Sequence, residues 1–336
     1  MESRRHQRPA ERRGRERGVH PVKAIGLTTY GGPDALQVLD VPEPHVGPGE
    51  VRIRVRAAAV NPVDAIIRSG GFAGKDGSIA DPVVPGMDVS GVIDEVGPGR
   101  PSDIDVSIGD AAIGFVVPEN SHGGYSEYVV LPSESVTRMP AGLDFVHAAS
   151  FLSNALTAEI TLEHFALTPG AALAVTGATG AVGGYLVELA ARRGLTVIAA
   201  ATGNDEPLVR EFGATHVIDR RADFSDGVLA LTGGRGADAL ADAAILTDQV
   251  TRAVRDGGQI AFYLPTDVDP GRGIDVFGSY VMRSNLRHDA IAMLARLAGS
   301  GAVSKRVAAV LPAAQAADAH VRLARGGLRG RLVLEF

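Results

Sequence analysis

The 336-residue chain contains no cysteine and no tryptophan. Without cysteine there is no disulfide, no thiolate nucleophile, no iron–sulfur cluster and no cysteine-ligated zinc. Any redox chemistry must then be borrowed from a soluble cofactor. Long apolar runs are missing too. The most apolar segments, around 171–175 and 196–202, have strand length, far short of the ~18 consecutive residues that suggest a membrane span. No signal peptide is expected at the N terminus, so a cytoplasmic location is the default expectation. Charged residues make up only 21% against 45% hydrophobic, which excludes a chain disordered throughout and leaves material for two cores.

The charge is unevenly placed. Residues 1–20 hold seven Arg and three Glu, a local balance of +4, so the remaining 316 residues carry −10 of the formal net charge of −6. This first stretch has almost no apolar residue and is expected to be disordered, folded structure beginning at Val22. It is read either as a nucleic-acid arm or as an extension that packs against nothing. The acidic remainder speaks against a nucleic-acid surface, because neutralising phosphates needs clustered Lys and Arg.

From Val22 to about His147 the chain reads as short strands broken by turns. VRIRVRAAAV (51–60) begins with the strict alternation of a half-buried strand. The segments PEPHVGPGE and DPVVPGMD are turn material, so an all-β module, partly open as a barrel, is expected. Near Ala148 the texture changes. ASFLSNALTAEITLEHFA reads as a helix, followed by an apolar strand, a Gly-rich turn and an amphipathic helix in AALAVTGATGAVGGYLVELAARRG. TVIAAAT and HVID read as strands, PLVREFGA as a helix, and ADALADAA, LTDQVTRAVRDGG and QIAFYLP as a further strand–helix–strand, closed by IDVFGSYV. This βα succession predicts a parallel sheet covered on both faces, with a doubly wound dinucleotide fold as the leading topology. The pieces after about Met282 are expected to complete the first module.

The strongest local signal is Gly177-Ala-Thr-Gly180-Ala-Val-Gly183 between a strand and a helix. Glycine permits a positive φ in the tight turn and lets backbone N–H groups approach a pyrophosphate at the helix N terminus. Gly177, Thr179, Gly180, Ala181, Val182 and Gly183 are therefore the candidate cofactor-binding residues of this loop. The end of the second strand discriminates between coenzymes, since a carboxylate there binds a ribose 2′-hydroxyl and repels a 2′-phosphate. That end is neutral through Thr202, and Arg220 follows the third strand, where a guanidinium can reach a 2′-phosphate. Both favour NADP(H); Asp205, further along the loop, speaks for NAD(H). Nine histidines remain as conceivable ligands, but none has ligand spacing, so no metal site is expected.

Several motifs in order carry a family resemblance: KAIGLTTYGGPDAL, AAAVNPVDAIIRSGGF, PVVPGMDVSGVIDEVG, GGYSEYVVLP, AASFLSNALTA, VTGATGAVG and RGRLVLEF. From Val22 to Phe336 the chain resembles the zinc-free medium-chain dehydrogenase/reductase superfamily, in its quinone oxidoreductase (zeta-crystallin-like) branch. The resemblance implies an α/β chain in which a GroES-like, β-rich catalytic domain is combined with a doubly wound parallel-sheet (Rossmann) domain, the cofactor lying in the cleft between them. The boundaries expected are an Arg-rich extension over 1–21, the catalytic domain over 22–147, the NADP-binding domain over 148–282 and a C-terminal segment, 283–336, that completes the first domain. A homodimer is implied as well.

The resemblance also implies roles residue by residue. Asn61 stands where zinc-dependent relatives place a metal-binding Cys, and Gly86-Met87-Asp88 where they show Gly-His-Glu. Asn61 is thus carried over as a positioning residue near the nicotinamide, with a turn-stabilising role before Pro62 as the alternative; Asp64 is read as holding that turn. Thr157 in Leu156-Thr157-Ala158 matches a cofactor-contacting position. Tyr263 and Phe277 are further cofactor-binding candidates, and Phe72, Tyr125, Tyr263 and Phe277 together are candidates for an aromatic pocket. Departures are visible: Ile66 and Phe72 stand where relatives often show Tyr, Arg220 where Tyr is common, and the relatives' phosphate-binding Lys has no counterpart in TGNDEP.

With neither metal nor a convincing side-chain acid, the substrate must accept hydride unaided. A quinone or an activated α,β-unsaturated carbonyl does so by delocalising charge, so catalysis reduces largely to positioning. The alternatives are an enoyl-thioester (polyketide-type) reductase and a non-catalytic NADPH- or RNA-binding, crystallin-like protein.

Overall fold

The computed structural model describes residues 21–74, 78, 79 and 81–336. The Arg-rich extension thus lies outside the described residues, apart from Pro21, which already opens the first strand. The N-terminal part contains β1 (Pro21–Gly26), β2 (Gln37–Pro42), β3 (Glu50–Val60), α1 (Pro62–Arg68), β4 (Asp88–Val96), β5 (Ala111–Phe115), β6 (Tyr128–Pro132) and β7 (Val136–Arg138). Next come α2 (Phe145–Ala148), α3 (Leu152–Phe165), β8 (Ala172–Thr176), α4 (Ala181–Arg192), β9 (Thr196–Ala201), α5 (Glu206–Glu211), β10 (His216–Asp219), α6 (Phe224–Leu231), β11 (Ala237–Asp242), β12 (Val254–Phe262) and β13 (Asp275–Gly278). The chain closes with α7 (His288–Gly299), β14 (Val307–Pro312), α8 (Ala316–Arg325) and β15 (Arg331–Glu335).

β3 is the spine of the first module. It pairs antiparallel with β4, β6 and β15 in a sheet of order β14-β15-β3-β4-β5-β7. The last two strands of the chain therefore lie in the sheet of the first module. Val51, Ile53 and Val55 are buried as the alternation predicts, but so is Arg52, on the face expected to meet solvent. Its guanidinium is covered because Asp94 takes it at 2.9 and 3.0 Å, Glu43 at 2.8 Å, and the Tyr128 ring lies beneath it at 5.0 Å. An arginine fully paired in this way can leave water.

The second module is a parallel sheet of order β10-β9-β8-β11-β12-β13. Strand alternation splits its small apolar side chains between two layers. Leu173, Val175, Val197, Ala199, Ala239 and Ala241 face the core that contains α3, α4 and α7. Ala174, Ile198, Ala200, Leu240 and Ile260 face the core that contains α6. From β8 the chain moves outward to β9 and β10, then returns to β11 on the other side of β8. That reversal opens a crevice at the carboxyl ends of β8 and β11, where doubly wound sheets bind their ligands.

One segment departs from its expected form. LTDQVTRAVRDGG reads as a helix before the next strand, but Thr247–Ala253 is a 3₁₀ turn and ValArgAspGlyGly already belongs to β12. Asp242 draws in the backbone N–H of Thr247 at 2.7 Å, and Ile245 and Thr247 take positive φ, so the chain turns back too early for a helix. Arg255–Gly258 then bulges out between Ala237↔Val254 and Ala239↔Gln259.

Candidate active site

β8 delivers Thr176 to the edge of the crevice, and the loop turns there into α4. Gly177 has φ +60°, and a Cβ there would lie 2.9 Å from the backbone of Ala243. The Gly180 N–H donates to the Gly177 carbonyl at 2.9 Å, and a Cβ at Gly183 would run into that same oxygen. Gly180 caps α4 without any side-chain acceptor, so the first N–H groups of a twelve-residue helix face the loop uncapped. Backbone donors at a helix start, reached across residues without Cβ, fit a dinucleotide diphosphate. Thr176 Oγ1 donates to Asp242 at 2.7 Å and accepts the Ala244 N–H at 3.0 Å, latching the ends of β8 and β11 together. From the C-terminal segment, Arg306 donates to the carbonyls of Thr179 (3.1 Å) and Gly180 (3.0 Å) over the Phe212 ring, holding the back of the loop.

At the ribose end of the crevice, Thr202 Oγ1 donates to Asp205 at 2.7 Å. Arg220 is exposed, with its N–H on the Ala201 carbonyl. Asp205 is paired with Arg329, which the sequence reading did not include.

Asn61 lies in a different kind of place. It is 3% exposed, and every polar atom of its amide is engaged. Nδ2 donates to Asp88 at 2.9 Å, while Oδ1 accepts from Asn154 at 3.1 Å and Arg331 at 2.5 Å. Asp88 in turn accepts the Ser153 N–H and hydroxyl, both at 2.6 Å. Asp64 holds the turn as read: it accepts the N–H groups of Asn61 and Gly86 and the hydroxyl of Tyr125. The amide of Asn61 therefore ties α1, β4, α3 and β15 into one buried network beside the crevice.

Burial raises the Asp64 carboxyl to about 7, against the pull of its hydrogen-bond donors and of Arg331. The unfolded value is about 3.9, so the folded chain holds this proton more tightly. Stability is then greatest below pH ~4, falls as pH rises toward ~7 and levels off above. Urea unfolding between about pH 4 and pH 8 is expected to show this fall, and Asp64→Asn to flatten it. A pH slope untouched by that substitution would contradict the assignment.

Thr157 sits one turn after Ser153 on α3, its hydroxyl on the Ser153 carbonyl, with Thr161 stacked behind it. Tyr263, just after β12, donates to Thr161 at 3.3 Å. Phe277, on β13, stacks on His164 at 4.1 Å. These side chains follow α3 outward from Asn61 toward the sheet edge. The four-membered aromatic pocket does not form. Tyr125 is fully buried in the core of the first module, bonded to Asp64 and His320, while Phe72 is 58% exposed. Tyrosine in a β-rich core is drawn to a buried acceptor, and Asp64 supplies it.

Arg306, Arg329, Arg331, Asp88, Ser153 and Asn154 were absent from the sequence-based site. Asp88, Ser153 and Asn154 stand inside quoted motifs, so a polar residue in an apolar context was the available signal. Arg329 and Arg331 also stand inside a quoted motif, RGRLVLEF, but nothing local named the arginines' partners, which lie 124 to 271 residues away. Among the described residues no group of three or more His, Asp or Glu is placed to hold a metal ion, and no helix is long and apolar enough to cross a membrane.

A β-rich module joined by its own C terminus, and a doubly wound sheet with a glycine cradle at its switch point, define a two-domain dehydrogenase/reductase architecture. The alcohol dehydrogenase GroES-like domain family matches residues 47–141, and the zinc-binding dehydrogenase family matches residues 181–298. The chain belongs to the medium-chain dehydrogenase/reductase superfamily, in its quinone oxidoreductase branch. It is 32% identical over 66% of its length to the mouse synaptic vesicle membrane protein VAT-1 homolog, covering 53% of that protein. It is 33% identical to rat quinone oxidoreductase, with 66% of each covered. The chain's matches thus span only half to two thirds of these relatives. A 2-haloacrylate reductase from Burkholderia is 28% identical over 93% of this chain and 98% of its own. Among solved structures, an NAD-dependent alcohol dehydrogenase superposes with TM-score 0.80 at 29% identity, over 94% of this chain and 99% of that one. A mycobacterial protein solved complexed with NADPH gives 0.79 at 26%, over 94% and 100%.

Proposed function

We propose that the protein is an NADPH-dependent, zinc-independent oxidoreductase that reduces a quinone or an activated α,β-unsaturated carbonyl. The observation that carries this reading is the glycine cradle of Gly177 and Gly183, together with a buried network around Asn61 whose polar groups are spent on one another. Gly177, Thr179, Gly180, Ala181, Val182 and Gly183 would hold the diphosphate, Thr202 and Arg220 the adenosine ribose end, and Thr157, Tyr263 and Phe277 the side along α3. When bound, the coenzyme supplies a hydride. Asn61 acts as a positioning residue: its amide, fixed by Asp88, Asn154 and Arg331, keeps the loop before α1 in one conformation. Asp88, whose oxygens accept three hydrogen bonds from Asn61 and Ser153, has little capacity left for a cation. No side chain of the network is free to give a proton quickly, which suits acceptors whose reduced form takes its proton from water. The full-length relative named a 2-haloacrylate reductase supports the conjugated-acceptor side of this class.

The division at about 147/148 and 282/283 is part of the same proposal. So is a homodimer through β13, an edge strand on which Asp275 and Val276 are exposed. The test is oxidation of NADPH followed at about 340 nm with 1,4-benzoquinone and with a simple enone. Turnover with at least one is expected, and prior dialysis against EDTA should leave the rate within about twofold. A chain that binds the coenzyme but reduces neither acceptor, or loses its rate to the chelator, would refute the reading.

A further inference from the structure

By sequence, Asp205 is the residue that argues for NAD(H), lying just past the strand that meets the adenosine ribose. The structure changes its electrostatic character. Arg329, in the loop before β15, donates through Nε to one Asp205 oxygen at 2.8 Å and through Nη2 to the other at 2.7 Å. Thr202 adds a third donor at 2.7 Å, and the Asp205 side chain is left only 14% exposed. Such a two-pronged arginine–carboxylate pair fixes both geometry and charge. The neighbouring Asp219 is likewise taken by Arg221 at 2.6 Å. Arg220 lies within electrostatic reach of both carboxylates, and its guanidinium forms no hydrogen bond or ion pair with the described residues. Two carboxylates face three guanidinium groups, and Arg220 is the one in excess.

We propose that the Arg329–Asp205 ion pair sets the coenzyme preference. While the pair is closed, Asp205 can neither hold the 2′-hydroxyl of NADH nor repel the 2′-phosphate of NADPH, and Arg220 remains as the uncompensated cation for that phosphate. The selector thus belongs to the C-terminal segment, 124 residues from the carboxylate it controls. This inference rests on the nicotinamide-coenzyme reading above.

Titration calorimetry of the full chain with NADPH and with NADH separates the two claims. Arg329→Gln frees a carboxylate at the ribose and is expected to weaken NADPH by more than about tenfold while NADH holds or tightens. Asp205→Asn dissolves the pair from the other side, releases Arg329 as a second uncompensated cation, and is expected to shift the ratio the other way, toward NADPH. A ratio unmoved in Arg329→Gln overturns the inference. Should that variant unfold, Asp205→Asn decides alone, and an unchanged ratio there overturns it equally. An unsubstituted chain that binds neither coenzyme would overturn the coenzyme reading itself; one that binds, with ratios fixed across variants, overturns only the role of the pair.

Discussion

Gly183→Val is expected to reduce coenzyme binding by at least about a hundredfold, some 2.7 kcal/mol. The cause is contact, because the backbone of Gly183 has no positive φ to forbid a side chain. Any Cβ there runs into the Gly177 carbonyl and comes within 2.7 Å of its carbon. The obstacle is backbone, and the same oxygen already accepts the Gly180 N–H. Relief requires the loop to lift from α4, which moves the donors meant for the diphosphate. Overpacking of this kind also costs about 1–3 kcal/mol of stability, so a melting curve should accompany the titration. Gly184→Ala is the contrast. Its Cβ would press on the end of the Arg306 side chain and touch the Phe212 ring at 3.4 Å; side chains can give where the Gly177 backbone cannot, even at some loss of the Arg306 brace, so affinity should fall by less than about tenfold. A Gly183→Val chain that binds the coenzyme like the parent would remove the cradle from its assigned role.

Arg331→Met should be the most destabilising single change at the site, by about 3–5 kcal/mol, or roughly 10 °C in Tm. Arg331 is 5% exposed and donates to the Val60 carbonyl and to Asn61 Oδ1. It is also the cation that favours the ionised forms of two fully buried carboxyls, Asp64 and Asp88. Methionine fills much of the same volume but leaves those carboxyls unmatched. Arg331→Met combined with Asp88→Leu should therefore cost less than the sum of the two single changes, because the pair is removed together. Additive losses in that cycle, or a single-variant loss below ~1 kcal/mol, would show that the guanidinium is not what balances the network.

Much of the fold was readable in the chain itself. Short apolar runs alternating with helix-length segments predict the parallel sheet, and glycines at 177, 180 and 183 between a strand and a helix predict the cradle. These signals are local: a backbone that must bend sharply, or a strand that must be apolar on both faces, shows it within a dozen residues. The segment before β12 was misread for the same reason. Its local pattern favours a helix, but Ile245 and Thr247 take positive φ at its start, and the segment closes 3₁₀ turns before β12 begins at Val254.

The site divided along the same line. Residue order alone determined that a dinucleotide has a seat here and that cysteine-based chemistry has none. Folding alone decided what the charges do. Asn61 became the hub of a buried network, Arg306 became the brace behind the glycine loop, and the charge of Asp205 was compensated by Arg329. Burial strengthens the pairing at Asn61 and Arg331, because polar groups withdrawn from water are held by whichever partner the fold brings within about 3 Å, while the Arg329–Asp205 pair holds nearer the surface through its two-pronged geometry. The partner is chosen by topology: the sequence assigns the C-terminal segment to the first module, but only the fold sets Arg331 of β15 against Asn61 and Arg329, in the loop before it, against Asp205.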